Sequence, residues 1–321
     1  MAGRFKVVVV RPIRDNILYC FLKSIFWFTK ILPRKLILSW HGFLGKVVFN
    51  FFKKTRKNIL EHLNLVYGKE KSQKEIYKMG QDVFINLGKT FTDYAYFVNL
   101  ITRDQFLKYF TIEGEEHLKK AYEKGKGVLC LIPHTSGWEF SAIMPPVLGY
   151  ETSAVSREIK NPALNKFMVS LREKRGMKNI SRKKCYDALV QVLNQGECLI
   201  IMIDQDSKKV KGEFLKFFGI DAYTPLGCAR LAMETGAAIV PMATLRNADD
   251  TYLFKILPEV PLQLTGDQEY DVRHNTQIHN DVIESIIREY PTQWVWLHKR
   301  WHTTPENLKA YWDKRNINKK N

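Results

Sequence analysis

Across 321 residues the chain carries 50 Lys and Arg against 33 Asp and Glu, a formal charge of +17, with 45% hydrophobic side chains. That length and apolar content can bury a substantial core, which excludes a disordered or low-complexity polypeptide. The charge calls for an anionic partner: nucleic acid, an acidic carrier protein or an anionic membrane. The five scattered cysteines, Cys20, Cys130, Cys185, Cys198 and Cys228, are odd in number and read as reduced core thiols rather than disulfides or zinc ligands.

Residues 1–12 are basic and carry no cleavable-signal pattern. Residues 17–52 are rich in Phe, Trp and Leu, but Lys23, Lys30, Arg34, Lys35 and Lys46 interrupt them. A bilayer span needs about 20 apolar residues without such breaks. One or two helices lying in a membrane interface are therefore expected, with lysines reaching toward lipid phosphates and Lys53, Lys54, Arg56 and Lys57 strengthening the attachment. A buried helical hairpin and a transmembrane anchor through 17–32 are the alternatives. From 56 to 97 the recurrence of Leu60, Leu63, Ile76, Met79, Val83, Phe84 and Leu87 is helical, with a break at 68–72. The expected organisation is a membrane-associating leader over 1–57 and an α/β domain over 58–321 that includes a helical layer at 58–100.

Within that domain, strands are expected at 106–112, 128–132, 152–156, 198–203, 238–242 and 252–257. Helices are expected at 115–123, 165–174, 185–193, 226–235 and 272–290, with a short or kinked one between Trp138 and Pro145-Pro146. Strand and helix recur in alternation, which gives an α/β fold with a mostly parallel or mixed central sheet flanked by helices. No G-x-G-x-x-G, Walker A or G-x-S-x-G sequence is present, so the common dinucleotide, triphosphate and serine-hydrolase chemistries are unsupported.

Chemistry-bearing side chains stand at the predicted strand ends: His134, Arg157, and Asp204 with Asp206. In a parallel sheet those ends meet along one edge. An imidazole just beyond a strand can take a hydroxyl proton near neutral pH, and a carboxylate five residues on, Glu139, can fix its tautomer. The plainer possibility is a loop histidine followed by a first-turn acid. Arg157 or Arg172 can hold a phosphate or a developing oxyanion, or lie solvated on the surface. Asp204 either closes the floor of the site or caps the next turn, and one Asp-Gln-Asp run is weak support for a metal. The Trp- and His-dense segment 291–305, with His298, Lys299 and Arg300, fits a nucleic-acid stacking platform or an interfacial aromatic belt; the apolar leader favours the membrane.

Several blocks together resemble the bacterial lipid A late acyltransferases, a family that also includes acyltransferases of mannosylated phosphatidylinositol. His134 with Gly137, Trp138 and Glu139 is similar to the family's H-x-x-x-x-E block. Phe217-Phe218-Gly219 with Ala222 and Thr224 resembles its second block, and Thr235-Gly236-Ala237 with Val240-Pro241 its third. Tyr290-Pro291, Gln293-Trp294, Trp296, His298, Arg300 and Trp301 resemble its C-terminal signature.

The resemblance implies that His134 is a general base oriented by Glu139, acting on a hydroxyl that attacks a thioester without a covalent enzyme intermediate. It also implies that Arg157, with Arg172 or Arg175, serves acceptor phosphate or transition-state charge beside Asp204, and that Trp138 and Thr224 contribute to substrate binding. The implied partners are an acyl carrier protein or coenzyme A thioester, a glycolipid acceptor and an anionic membrane surface, with no nucleic acid, cofactor or metal. The implied location is the cytoplasmic face of the bacterial inner membrane. The lysine-rich run after Asp204-Gln205-Asp206 departs from the glycine-containing sequence usual there. Another glycolipid acceptor, such as a mannosylated phospholipid, and a non-catalytic lipid-binding protein are the competing readings.

Overall fold

The computed structural model describes residues 32–156, 158–159, 161–181 and 185–320. Arg157 and residues 1–31, with most of the alternative membrane anchor, lie outside the described residues. The strands are β1 (Phe110–Glu113), β2 (Val128–Leu131), β3 (Thr152–Ser156), β4 (Met177–Ser181), β5 (Cys198–Ile201), β6 (Gly212–Phe217), β7 (Ile220–Pro225), β8 (Ala238–Arg246) and β9 (Tyr252–Ile256). Seven of them form one sheet in the order β1-β9-β8-β2-β5-β3-β4, and β6 with β7 makes a separate hairpin. β2 runs parallel to both β5 and β8, and β3 parallel to β5 and β4; only the β8–β9 pair is antiparallel within the large sheet. The sheet is thus mixed, as the alternation of strands and helices predicts.

Helices cover both faces: α1 (Arg34–Phe51), α2 (Lys53–Tyr67), α3 (Gln73–Tyr96), α4 (Arg103–Leu107), α5 (Glu115–Tyr122), α6 (Trp138–Val147), α7 (Pro162–Glu173), α8 (Tyr186–Asn194), α9 (Gly227–Thr235), α10 (Gln268–Glu289) and α11 (Pro305–Lys320). Pro145 and Pro146 fall in the closing turns of α6 and end it early rather than kinking a longer helix. The apolar strands are continuous because both their faces are buried. Along β2, Leu129 and Leu131 join one core cluster while Val128 and Cys130 join the other, and Leu199 against Cys198 and Ile200 repeats the alternation in β5. The cysteines Cys130, Cys198 and Cys228 are buried and free, and Cys185 is free and half-buried.

The helix α1, which lies in the expected leader, is docked to α3. A side chain at Gly45 would collide with the Phe84 carbonyl, and one at Gly88 with the His41 carbonyl, so the two backbones cross in direct contact. Buried Asp93 fastens the start of α1 from below: it accepts from Arg34 Nε at 2.6 Å, from Arg246 Nη1 at 2.6 Å and from the Tyr252 hydroxyl at 2.9 Å. The opposite side of α1 carries exposed Leu36, Trp40, Phe43 and Phe51 at helical spacing.

Candidate active site

The parallel register of β2 and β5 builds the centre of the site. Leu131 stands opposite Ile201, and Ile132 N–H continues the pairing to Ile201 O at 3.0 Å. Three residues past each of those strand ends come His134 and Asp204, side by side. The His134 backbone N–H donates to Asp204 Oδ2 at 2.6 Å, and its ring Nδ1 lies 2.6 Å from Asp204 Oδ1. Trp294 Nε1–H donates to Oδ2 at 2.8 Å. Asp204 is fully buried, which opposes its charge most strongly; the adjacent imidazole and the three donors outweigh that and hold the carboxyl down to about 2. An ionised carboxylate on Nδ1 keeps the proton there and leaves Nε2 as the free edge of the ring.

This pairing corrects the expectation that Glu139 orients His134. Glu139 lies in the first turn of α6, where a carboxylate suits the positive end of the helix, and it takes a bidentate grip from Arg172 of α7, with Nη2 to Oε1 at 2.6 Å and Nε to Oε2 at 3.2 Å. The helix turn carries its side chain toward α7 and away from the Nδ1 edge that Asp204 occupies. Arg175 is committed to backbone: its guanidinium donates to the carbonyls of Leu100, Leu171, Phe97 and Val98 at 2.6–3.0 Å. Thr224 is a buried node, donating to Ala222 O and accepting from Arg300 and Asn280. Neither Arg175 nor Thr224 lines the cavities around His134. Asp206 turns from Asp204 to bind the Thr303 N–H and hydroxyl.

The Trp-dense segment after α10 is a wall of this site. Thr135 bridges Trp294, and Val295 N–H donates to His134 O at 2.9 Å. Gln293 exchanges hydrogen bonds with the Arg246 backbone at 2.7 and 2.9 Å. Trp294 and Trp296 are fully buried, so they offer no stacking platform to nucleic-acid bases. Trp294 and His298 are site residues that strand-end reasoning misses; their density in a short segment was the available signal.

His134 stands where two kinds of space meet. On one side is a cavity of about 650 Å³ bordered by Gln205, Lys208, Lys209, His298 and Lys299. On the other, a 210 Å³ space shares His134, Val155, Ile200 and Met202 with it and leads past Glu139 and Arg172. That space in turn shares Trp138, Ile159 and Met168 with an apolar 370 Å³ cavity lined by Leu87, Phe91, Tyr94 and Phe167. The arrangement combines an imidazole with a fixed tautomer, a basic polar chamber and an apolar slot.

The family model for bacterial lipid A biosynthesis acyltransferase matches residues 13–303. Among its relatives, the lipid A biosynthesis lauroyltransferase of Escherichia coli K12 is 26% identical over 89% of this chain and 91% of its own. The lipid A biosynthesis palmitoleoyltransferase of the same organism is 25% identical over 88% of this chain and 90% of its own. A phosphatidylinositol mannoside acyltransferase of Mycolicibacterium smegmatis is 26% identical over 58% of this chain and 60% of its own.

Because the folded state lowers the Asp204 pKa from the ordinary ~3.9 to about 2, its contribution is full above about pH 5 and is lost as pH falls through that interval. The linkage contributes roughly 2–3 kcal/mol, with about half gone at pH 3. Urea unfolding of the intact protein and of Asp204→Asn should show a stability gap that shrinks from pH 6 to pH 3. A gap that stays constant over that range contradicts the ionised, paired carboxylate.

Proposed function

Because the chain belongs to the bacterial lipid A biosynthesis acyltransferase family, whose members transfer acyl groups to lipid substrates, we propose that it moves a fatty acyl chain from an acyl carrier protein thioester to a hydroxyl of a lipid A precursor. The observation that carries the reading is the His134–Asp204 pair at the junction of a basic chamber and an apolar slot. His134 Nε2 takes the acceptor hydroxyl proton as that oxygen attacks the thioester carbonyl. The C–O bond forms, the C–S bond breaks, and the proton passes from His134 to the departing thiolate. Asp204 holds the imidazole in the required tautomer and stabilises its charged form.

The acyl tail is placed in the apolar slot, whose lining includes Phe167, Met168 and Tyr94 and whose depth would limit chain length. The Glu139–Arg172 pair, half-shielded beside that slot, walls the passage between tail and reacting carbonyl. Lys208, Lys209 and Lys299 face the other chamber and suit the phosphates of a glycolipid acceptor or of the donor's pantetheine arm. On the family resemblance alone, Arg157, outside the described residues, is proposed to serve acceptor phosphate as well. The similarity to a phosphatidylinositol mannoside acyltransferase favours a mannosylated phospholipid as the second acceptor to try.

A lipid acceptor places the enzyme at a membrane, on our reading the cytoplasmic face of a bacterial inner membrane. Among the described residues no helix is long and apolar enough to cross a bilayer. The exposed Leu36, Trp40, Phe43 and Phe51 of α1, flanked by Lys35, Lys46, Lys53 and Lys54, form an interfacial face instead. Phe91 borders the apolar slot and meets His41 of α1 edge-on at 6.3 Å, which sets the slot close to that face.

Acyl transfer from carrier-protein and coenzyme A thioesters to a purified lipid A precursor in detergent is expected for the intact protein and reduced about 10²- to 10⁴-fold in folded His134→Ala. No transfer from any donor to a competent precursor would reject lipid A and turn the assay to mannosylated phospholipids. In co-sedimentation with vesicles containing phosphatidylglycerol, the paired change Trp40→Glu and Phe43→Glu should weaken binding by about tenfold or more. Unchanged binding would remove α1 from the membrane contact.

A further inference from the structure

The acyl-transfer reading requires a donor for its tetrahedral intermediate, and the described Arg172, Arg175 and Arg300 are each engaged elsewhere. The tetrahedral intermediate carries a negative oxygen, and a positioned donor is required there. Arg172 is held by Glu139, Arg175 by four carbonyls, and Arg300 by Tyr223 O and Thr224 Oγ1.

We propose that His298 is a second active-site histidine, a neutral imidazole whose Nδ1–H donates to the thioester carbonyl and to the oxyanion it becomes. Its ring stands edge-on to that of His134, with centroids 5.3 Å apart and planes at 70°, and both rings line the 650 Å³ chamber. A single reacting group can therefore touch both rings, one as base and the other as donor.

The tautomer follows from the neighbour. His298 Nε2 lies 2.9 Å from Gln205 Nε2. With the Gln205 amide assigned nitrogen-first toward the ring, the imidazole nitrogen accepts and the ring proton sits on Nδ1. Nδ1 has no hydrogen-bond partner among the described residues and is not one of their sealed, unsatisfied polar atoms. Burial first, and the neighbouring His134 second, push the His298 pKa down to about 4, which keeps it a neutral donor beside a base. A cation in its place would oppose proton uptake by His134.

Position is fixed by the backbone. His298 N–H donates to Val295 O at 3.2 Å, Arg300 N–H donates to His298 O at 2.9 Å, and Val295 N–H is bonded to His134 O. The fully buried Trp296 and Arg300 bracket the residue in the chain. Gln205 directly follows Asp204, so the loop that sets the tautomer of His134 also sets that of His298.

The proposal rests on the acyl-transfer reading, and its test has one arm that does not. In the full chain labelled with ¹⁵N-histidine in detergent at pH 7, the signals lost in His298→Asn should report a neutral Nδ1–H tautomer; an Nε2–H tautomer or an imidazolium overturns the proposal. In transfer assays His298→Ala should lower kcat by about 10²- to 10³-fold with little change in KM. His298→Asn places an amide near the former Nδ1 and should recover at least about tenfold over the alanine variant. His298→Gln, whose amide sits near the former Nε2, should not. An alanine variant at the intact protein's rate, or a glutamine variant equal to asparagine, overturns it. Intact protein that transfers to no acceptor rejects the acyl-transfer reading, while the labelled spectra still decide the state of His298.

Discussion

The site depends on a single buried carboxylate. Asp204 loses hydration completely, a penalty of several kcal/mol for an unpaired charge, and it is tolerable because backbone N–H, imidazole and indole all converge on its two oxygens. The three donors come from two distant stretches of chain. The first two belong to the loop after β2, the third to the segment after α10. Satisfying the carboxylate therefore closes the site: it sets the ring of His134, pins Trp294 and draws the C-terminal segment over the sheet edge.

The sheet makes this convergence possible. β2 and β5 are neighbours in parallel register, and both chains leave the sheet at the same level. β3 follows β2 in sequence but stands beyond β5, so the crossover through α6 passes over one strand and leaves room at the sheet edge. Glu139 travels with α6 and meets Arg172 on α7, above the apolar slot. Two side-chain pairs thus divide the space. His134 with Asp204 faces the basic chamber, and Glu139 with Arg172 borders the passage toward the apolar slot. On the proposed reading, the polar and apolar halves of a lipid substrate have separate destinations on either side of His134.

His134 and Asp204 were both legible as strand-end residues, because an apolar run closed by Pro133 and another closed by an acid are strong local signals. Their pairing was not legible, since it depends on which strands are neighbours, and that is decided by helix packing far from either residue. The five-residue spacing to Glu139 was the only local geometry on offer, and it pointed to the wrong partner for Nδ1. β4 escaped notice because its edge position lets polar Lys178, Asn179 and Ser181 replace an apolar run. The β6–β7 hairpin escaped because its turn rests on Phe218 at a positive φ of 55°, a conformation that bulky side chains seldom signal. Arg175 and Thr224 carry polar groups that resemble substrate ligands in sequence; burial turned both toward orphan carbonyls and buried donors.

The most direct measurement is the rate of acyl transfer by Asp204→Asn at saturating thioester and acceptor, with its fold checked by circular dichroism. The amide keeps the volume and can still bond the backbone, but it removes the charge that holds the proton on Nδ1 of His134. The account predicts a fall in kcat of about 10³-fold or more with KM within a few-fold. A variant that retains most of the intact protein's kcat would contradict it, and would show that His134 does its work without Asp204.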